Sequence, residues 1–117
     1  MCGRFTLFTD AETLRQEFRI DTLAAELRPR YNIAPGQDVA VVVQRSGERR
    51  LETFRWGLIP SWAKDPSIGQ RMINARAETL AERPAFKQAF RRRRCLVPAD
   101  GFYEWQKGGR RKTPFYF

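Results

Sequence analysis

Two β-prone runs either side of a glycine-containing loop constrain the fold of this chain more than any other stretch. "VAVVVQ" and "LETFRWGLI" flank "RSGER", and β-branched and aromatic runs around a short loop of this kind predict an antiparallel hairpin. A second hairpin is predicted from "CLVPADGFYEWQ" and "RKTPFYF", joined at Lys107-Gly108-Gly109-Arg110 by a two-glycine signal. Helices are expected between them. "TDAETLRQEFRI" offers Thr9 and Glu12 as a capping box, with Ala11, Leu14 and Phe18 on one face. "DTLAAEL" predicts a second helical piece ending at Arg28, because Pro29 disfavours helix before it. "RPAFKQAFRRRR" predicts a third, with Pro84 near its start and Phe86, Ala89 and Phe90 on one face. Pro35-Gly36 in "RYNIAPGQ" marks a turn. The stretch "IPSWAKDPSIGQRMINARAETL" is expected to be ordered but irregular, a setting that often carries function.

At 117 residues the chain is expected to form a single domain over residues 1–117. Twenty-two Lys and Arg against 13 Asp and Glu leave a net charge of +9, and most of the bases are arginine. A guanidinium presents a planar fork to phosphate and stacks on bases, so this balance suits a nucleic-acid partner, although a merely basic protein has the same composition. There is no histidine, which excludes Ser-His-Asp and Cys-His nucleophilic sites and the usual zinc sets. Two cysteines, Cys2 and Cys95, make neither a disulfide scaffold nor a metal site; no metal and no cofactor are expected. Without a membrane-length apolar run or a signal-peptide pattern, no membrane partner is expected. A cytoplasmic location is expected, nucleoid-associated, or nuclear in a eukaryote. The chain stops within the β-prone "TPFYF", and an uncovered strand there suggests a truncated product or half of something larger.

Cys2 directly follows the initiator Met1. An N-terminal cysteine carries an α-amine and a thiol that both begin to ionise near neutrality. An aldehyde can form a Schiff base with the amine, and the thiolate can then close a five-membered thiazolidine; an incidental early cysteine is the alternative. Cys95, in an apolar strand-like run, reads as core. Glu104 lies in "GFYEW", where alternation sets it opposite Tyr103 and Trp105 and beside Phe102. It is either a proton carrier in an aromatic setting or a solvent-facing strand residue. Asn74, Arg76 and Glu78 of "INARAET" would share one side of an extended stretch, suited to positioning a phosphate-bearing substrate; in a helix they would be ordinary surface residues. Trp56 and Trp62 are either base-stacking or core residues. The run Arg91–Arg94 reads as a solvated helix end with a minor share in any binding footprint.

The blocks "MCGRF", "RYNIAPGQ", "WGLIPSWAKD", "INARAET" and "CLVPADGFYEW" occur in that order, and together they closely resemble the SOS-response-associated peptidase (SRAP) family, from Met1 to the last residue. The resemblance implies an α+β fold, a mixed and partly barrel-like antiparallel β-sheet with flanking helices. It implies binding of single-stranded DNA and covalent trapping of abasic sites as part of a DNA-damage response. Met1 would be removed, by the protein itself or by an aminopeptidase; the Cys2 amine would attack the ring-opened sugar aldehyde and its thiol would close the thiazolidine. It also implies roles for Asn74 in orienting the sugar, for Glu104 in moving protons, and for Arg4 and Arg76 in holding flanking phosphates. Trp56 and Trp62, with the motif residues Asn32 and Pro35, would line the DNA site. The peptidase of the family name fits Met1 release, and a lyase-like activity could accompany the crosslink.

Family members are longer, and their second half supplies a histidine that this chain lacks. The implied cleft would therefore be incomplete, finished by a complementary chain or by self-association. A non-covalent single-stranded-DNA-binding module and an inactive fragment needing its other half are the alternative readings. A cysteine peptidase acting on other proteins lacks a base, and no helix-turn-helix or zinc pattern supports a transcription factor.

Overall fold

The Ser46–Gly47 turn sets the largest sheet pairing. Both residues have positive φ, 51° and 80°, the conformation a two-residue type I′ hairpin requires and glycine tolerates best. It joins strands later named β4 (Asp38–Arg45) and β5 (Glu48–Arg55), which pair antiparallel from Asp38↔Arg55 to Arg45↔Glu48. The computed structural model describes residues 2–117. The remaining elements are β1 (Phe5–Leu7), α1 (Ala11–Phe18), β2 (Thr22–Leu23), β3 (Arg30–Ile33), α2 (Pro84–Arg92), β6 (Gly101–Gln106) and β7 (Thr113–Tyr116). A 3-10 turn at Pro66–Gln70 interrupts the long irregular segment.

These strands make two sheets, ordered β3-β1-β6-β7 and β2-β5-β4. All pairings are antiparallel except β2 with β5. The α+β class therefore holds, with the strands of the described residues in two open sheets rather than one closed barrel. The core lies between them. β1 is buried at all three positions, and Ile33, Val41 and Leu51 are at most 1% exposed. Burial of each such side chain contributes about 1.5–3 kcal/mol. Among the described residues Thr6 is the one buried polar residue; its hydroxyl donates to the Gly101 carbonyl at 3.3 Å and shares a 2.9 Å hydrogen bond with the Tyr116 hydroxyl.

Four local expectations are corrected. The first helix is capped by Asp10, whose carboxylate accepts from the Thr13 N–H at 2.9 Å. Thr9 is occupied elsewhere: its N–H and hydroxyl both donate to Asp100, tying the start of α1 to the approach to β6. "DTLAAEL" forms no helix. Seven residues are too few to hold a helix alone, and the backbone here bonds the β5 edge instead, Asp21 N–H to Arg49 at 2.8 Å and Ala24 N–H to Leu51 at 2.9 Å. The predicted strand over "CLVPADGFYEWQ" begins only at Gly101. Cys95 is exposed, not core, because the segment before β6 crosses the β4 edge by a single bridge, Val42↔Leu96.

Candidate functional site

β1 runs against β6 with Phe5↔Phe102 and Thr6↔Gly101 in register. The ladder extends outward, the Tyr103 N–H donating to the Arg4 carbonyl at 3.0 Å. Continued one step, that register brings Glu104 level with Gly3, the neighbour of Cys2. Alternation along β6 puts Glu104 on the face of Phe102, while Tyr103 and Trp105 share the other face with ring centroids 6.4 Å apart.

Cys2 is half-buried at the wall of an apolar cavity of about 620 Å³, lined among others by Phe5, Val41, Trp56, Phe102 and Cys95. The Asn74 carboxamide donates to the Cys2 carbonyl at 2.9 Å. Asn74 is delivered by the irregular segment, which Trp56 anchors: the indole N–H donates to the Ile73 carbonyl at 2.8 Å and the ring lies 5.4 Å from that of Phe5. Gly57, at φ 136°, passes so close to Gly69 that a Cβ would lie 2.5 Å from its carbonyl oxygen. Small residues at both positions let the segment double back on itself. Trp56 is thus half-buried in this wall, and Trp62 stands 60% exposed on the same segment.

Arg4 reaches Asn32, its guanidinium donating to the Asn32 carboxamide oxygen at 2.9 Å. Pro35 opens a turn with Gly36 at φ 82°, a type II arrangement. That turn is fastened to the base of Trp56 by Gly36 N–H to Trp56 at 2.8 Å and Trp56 N–H to Gln37 at 2.9 Å. Hydrogen bonds therefore join Cys2 with Asn74, Arg4 with Asn32, and the Pro35–Gly36 turn with Trp56, while Glu104 is set near Cys2 by the β1–β6 register. Arg76 stands one step out. The chain has no regular structure from Asn74 to Arg76 and then turns, with the Leu80 N–H bonded to the Arg76 carbonyl at 3.0 Å. Asn74 and Arg76 line a shallow cleft of about 230 Å³, while Glu78 is not part of its wall. Thr79 and Arg83 complete that cleft; neither was singled out, since only the turn after Arg76 brings them to Asn74.

Among the described residues no group of His, Cys, Asp and Glu could hold a metal ion, and no helix is long and apolar enough to cross a membrane. Partial desolvation in the cavity wall pushes the Cys95 thiol up from its ordinary value, which disfavours its thiolate near neutrality. Met1 lies outside the described residues, and with it the expected cleavage ahead of Cys2.

A model of the SOS response associated peptidase (SRAP) family matches residues 1–117. The chain belongs to the SRAP family. It is 49% identical over 109 residues to the abasic site processing protein YoqW of Bacillus subtilis, covering 92% of this chain and 49% of that one. Against the abasic site processing protein YedK of Escherichia coli the identity is 34%, over 99% of this chain and 53% of the other. Among solved structures, a protein from Bacteroides thetaiotaomicron superposes with a TM-score of 0.82 at 24% identity, covering 98% of this chain and 53% of its own. A phage-related protein from Bordetella bronchiseptica gives a TM-score of 0.73 at 30% identity, covering 98% of this chain and 54% of its own. The chain spans about half the length of the SRAP relatives it matches.

Proposed function

We propose that this chain binds single-stranded DNA and traps abasic sites covalently through Cys2. Membership of the SRAP family and likeness to abasic site processing proteins support the reading. The observation that carries it is the 2.9 Å bond from Asn74 to the Cys2 carbonyl, which holds the N-terminal residue at the cavity mouth. Hydrolysis of the Met1–Cys2 peptide bond frees the Cys2 amine. The amine adds to the C1′ aldehyde of the ring-opened sugar, and loss of water gives an imine. The thiolate adds to the imine carbon while the nitrogen takes up a proton, closing a thiazolidine; the net by-product is one water. Glu104, level with Gly3 on the ladder, carries the proton to the departing hydroxyl. Arg4, seated by Asn32, and Arg76 hold flanking phosphates, and Trp62 offers a stacking face. Only a nucleotide without its base presents the aldehyde, so the chemistry itself selects the lesion.

A denaturing gel tests this with single-stranded DNA carrying one abasic site, undamaged DNA and Cys2→Ala alongside, and intact mass to score Met1. A shifted band that needs both Cys2 and the lesion supports the proposal. Non-covalent binding that survives Cys2→Ala, with no shifted band from protein lacking Met1, rejects it in favour of a binding module.

The apolar, open cavity favours a second element of the reading, that a complementary polypeptide or a second copy closes it. The cavity is walled by Phe5, Val41, Trp56 and Phe102, surface of a kind seldom left uncovered. A crosslink that appears only on adding the second half of an SRAP relative supports this; full activity of the monomer alone argues against it.

A further inference from the structure

The run Arg91–Arg94 gains neighbours that its local sequence does not disclose. Val42 and Leu96 exchange backbone hydrogen bonds of 2.9 and 3.0 Å, and this bridge carries the chain leaving α2 along the β4 edge. Arg94 is thereby set level with Gln44. A hollow of about 150 Å³ opens there, lined by Gln44, Arg45, Phe54 and Arg92–Arg94. A neighbouring hollow of about 380 Å³ shares Gln44 and Arg94 and adds Arg49. No carboxylate lines either one.

The charges here are largely uncompensated. Arg45 is paired with Glu52 at 2.9 Å, and the Arg49 guanidinium donates to the Phe18 carbonyl at 2.8 Å. Arg94 lies 5.5 Å over the Phe90 ring, which leaves its charge unpaired. Among the described residues Arg92 and Arg93 have neither an ion pair nor a side-chain hydrogen bond. The α2 C-terminus supplies only about half a negative charge, too little to balance a run of four guanidinia. Gathered like charges repel, and a bound polyanion relieves that repulsion. A single small anion could engage one or two of these groups, whereas arginines spread over two contiguous hollows match a repeating anion. Phe54, 37% exposed, adds a stacking face among them.

We infer that this face binds the sugar–phosphate backbone of nucleic acid, as a second contact surface apart from the Cys2 cavity. Phe54 lines both and forms the wall between them. Naming the polyanion as DNA rests on the function proposed above; the arginine surface does not.

The test compares the unaltered chain with Arg92→Ala/Arg93→Ala/Arg94→Ala and with the corresponding triple Lys variant. Binding to a long undamaged single strand is measured by fluorescence anisotropy across a salt series. Crosslinking to an abasic oligonucleotide too short to span both surfaces is scored in parallel. The Ala variant is expected to bind the long strand more weakly, its log K against log salt slope shallower by about 2, from about 0.7 for each single-strand phosphate contact. The Lys variant is expected to keep most of the slope, which separates lost charge from lost folding. An unchanged slope and affinity in the Ala variant overturns the inference. So does unchanged DNA binding accompanied by lost binding to phosphatidylserine vesicles, which would assign the face to a membrane surface. Failure of the short oligonucleotide to crosslink in every variant, even with the second half of an SRAP relative added, with the slope change still present, rejects the Cys2 chemistry and leaves this surface standing.

Discussion

The Asn74 carboxamide donates to the Cys2 carbonyl across 72 positions of sequence, at 2.9 Å. Together with the contact of the Cys2 thiol with the Arg4 carbonyl at 3.5 Å, this bond orients Cys2. Asn74→Ala removes the bond. A hydrogen bond of this kind is worth about 0.5–1.5 kcal/mol, so crosslinking is expected to slow by roughly two- to thirteenfold, with a similarly small loss of stability. Single-turnover crosslinking rates and urea midpoints measured together check this; an unchanged rate would remove Asn74 from the site.

Gly57 and Gly69 meet where the irregular segment doubles back. Gly57→Ala must both adopt φ 136° and clear the Gly69 carbonyl. The expected cost is about 1–3 kcal/mol, read as a lower urea midpoint. Because Ile73 and Asn74 hang from the same segment, crosslinking should fall as well. Gly36→Ala, strained but with open space around its Cβ, serves as the comparison and should spare the Asn74–Cys2 contact.

Asp100 joins the first helix to the second hairpin. Burial acts to raise its pKa, but hydrogen bonds from the Thr9 hydroxyl and from the Phe8 and Thr9 N–H groups outweigh it and hold the carboxyl below its usual range. A depressed folded pKa means the ionised form favours the native state. Its contribution is complete above the unfolded value of about 3.9 and is lost as pH falls through the folded pKa. Urea midpoints measured from neutrality downward should therefore decline below about pH 4. Asp100→Asn should lower stability at neutral pH and flatten that decline; an equally steep profile would mean other carboxylates govern it.

Cys95, exposed overall, lines the same cavity wall as Cys2, and partial desolvation there pushes its thiol up from its ordinary value. In a Cys2→Ala background, iodoacetamide should label Cys95 slowly at neutral pH and faster as the solution becomes alkaline or denaturing. Cys95→Ser should leave the crosslinking rate within about twofold, an energy change of roughly 0.4 kcal/mol. A larger loss would assign Cys95 a part in the chemistry.

Several local features around the candidate site were legible before the structure. The Pro35-Gly36 turn and the central hairpin are local chemistry, written in residues that tolerate or require particular φ values. Alternation along "GFYEW" correctly separated Glu104 from Tyr103 and Trp105, because a paired strand has a strict period of two. Where local preference met competition it failed. Thr9 is a good N-cap by type, yet Asp100 draws both its donors away. "DTLAAEL" has helical spacing, yet the β5 edge offered its backbone partners that seven isolated residues could not supply themselves.

The sequence by itself determined the family, the class of fold, and the residues able to carry amine, thiol, carboxylate and guanidinium chemistry, because these follow from residue type and local order. Tertiary structure alone decided which of them meet. Asn74 reaches Cys2 only because Trp56 anchors the intervening segment, and Arg83 joins Arg76 only through the turn that follows Arg76. Arg92–Arg94 stand beside Arg45 only through one backbone bridge to β4. Those contacts join residues far apart along the chain, and their energies come from packing and long-range hydrogen bonds that no local stretch of sequence contains.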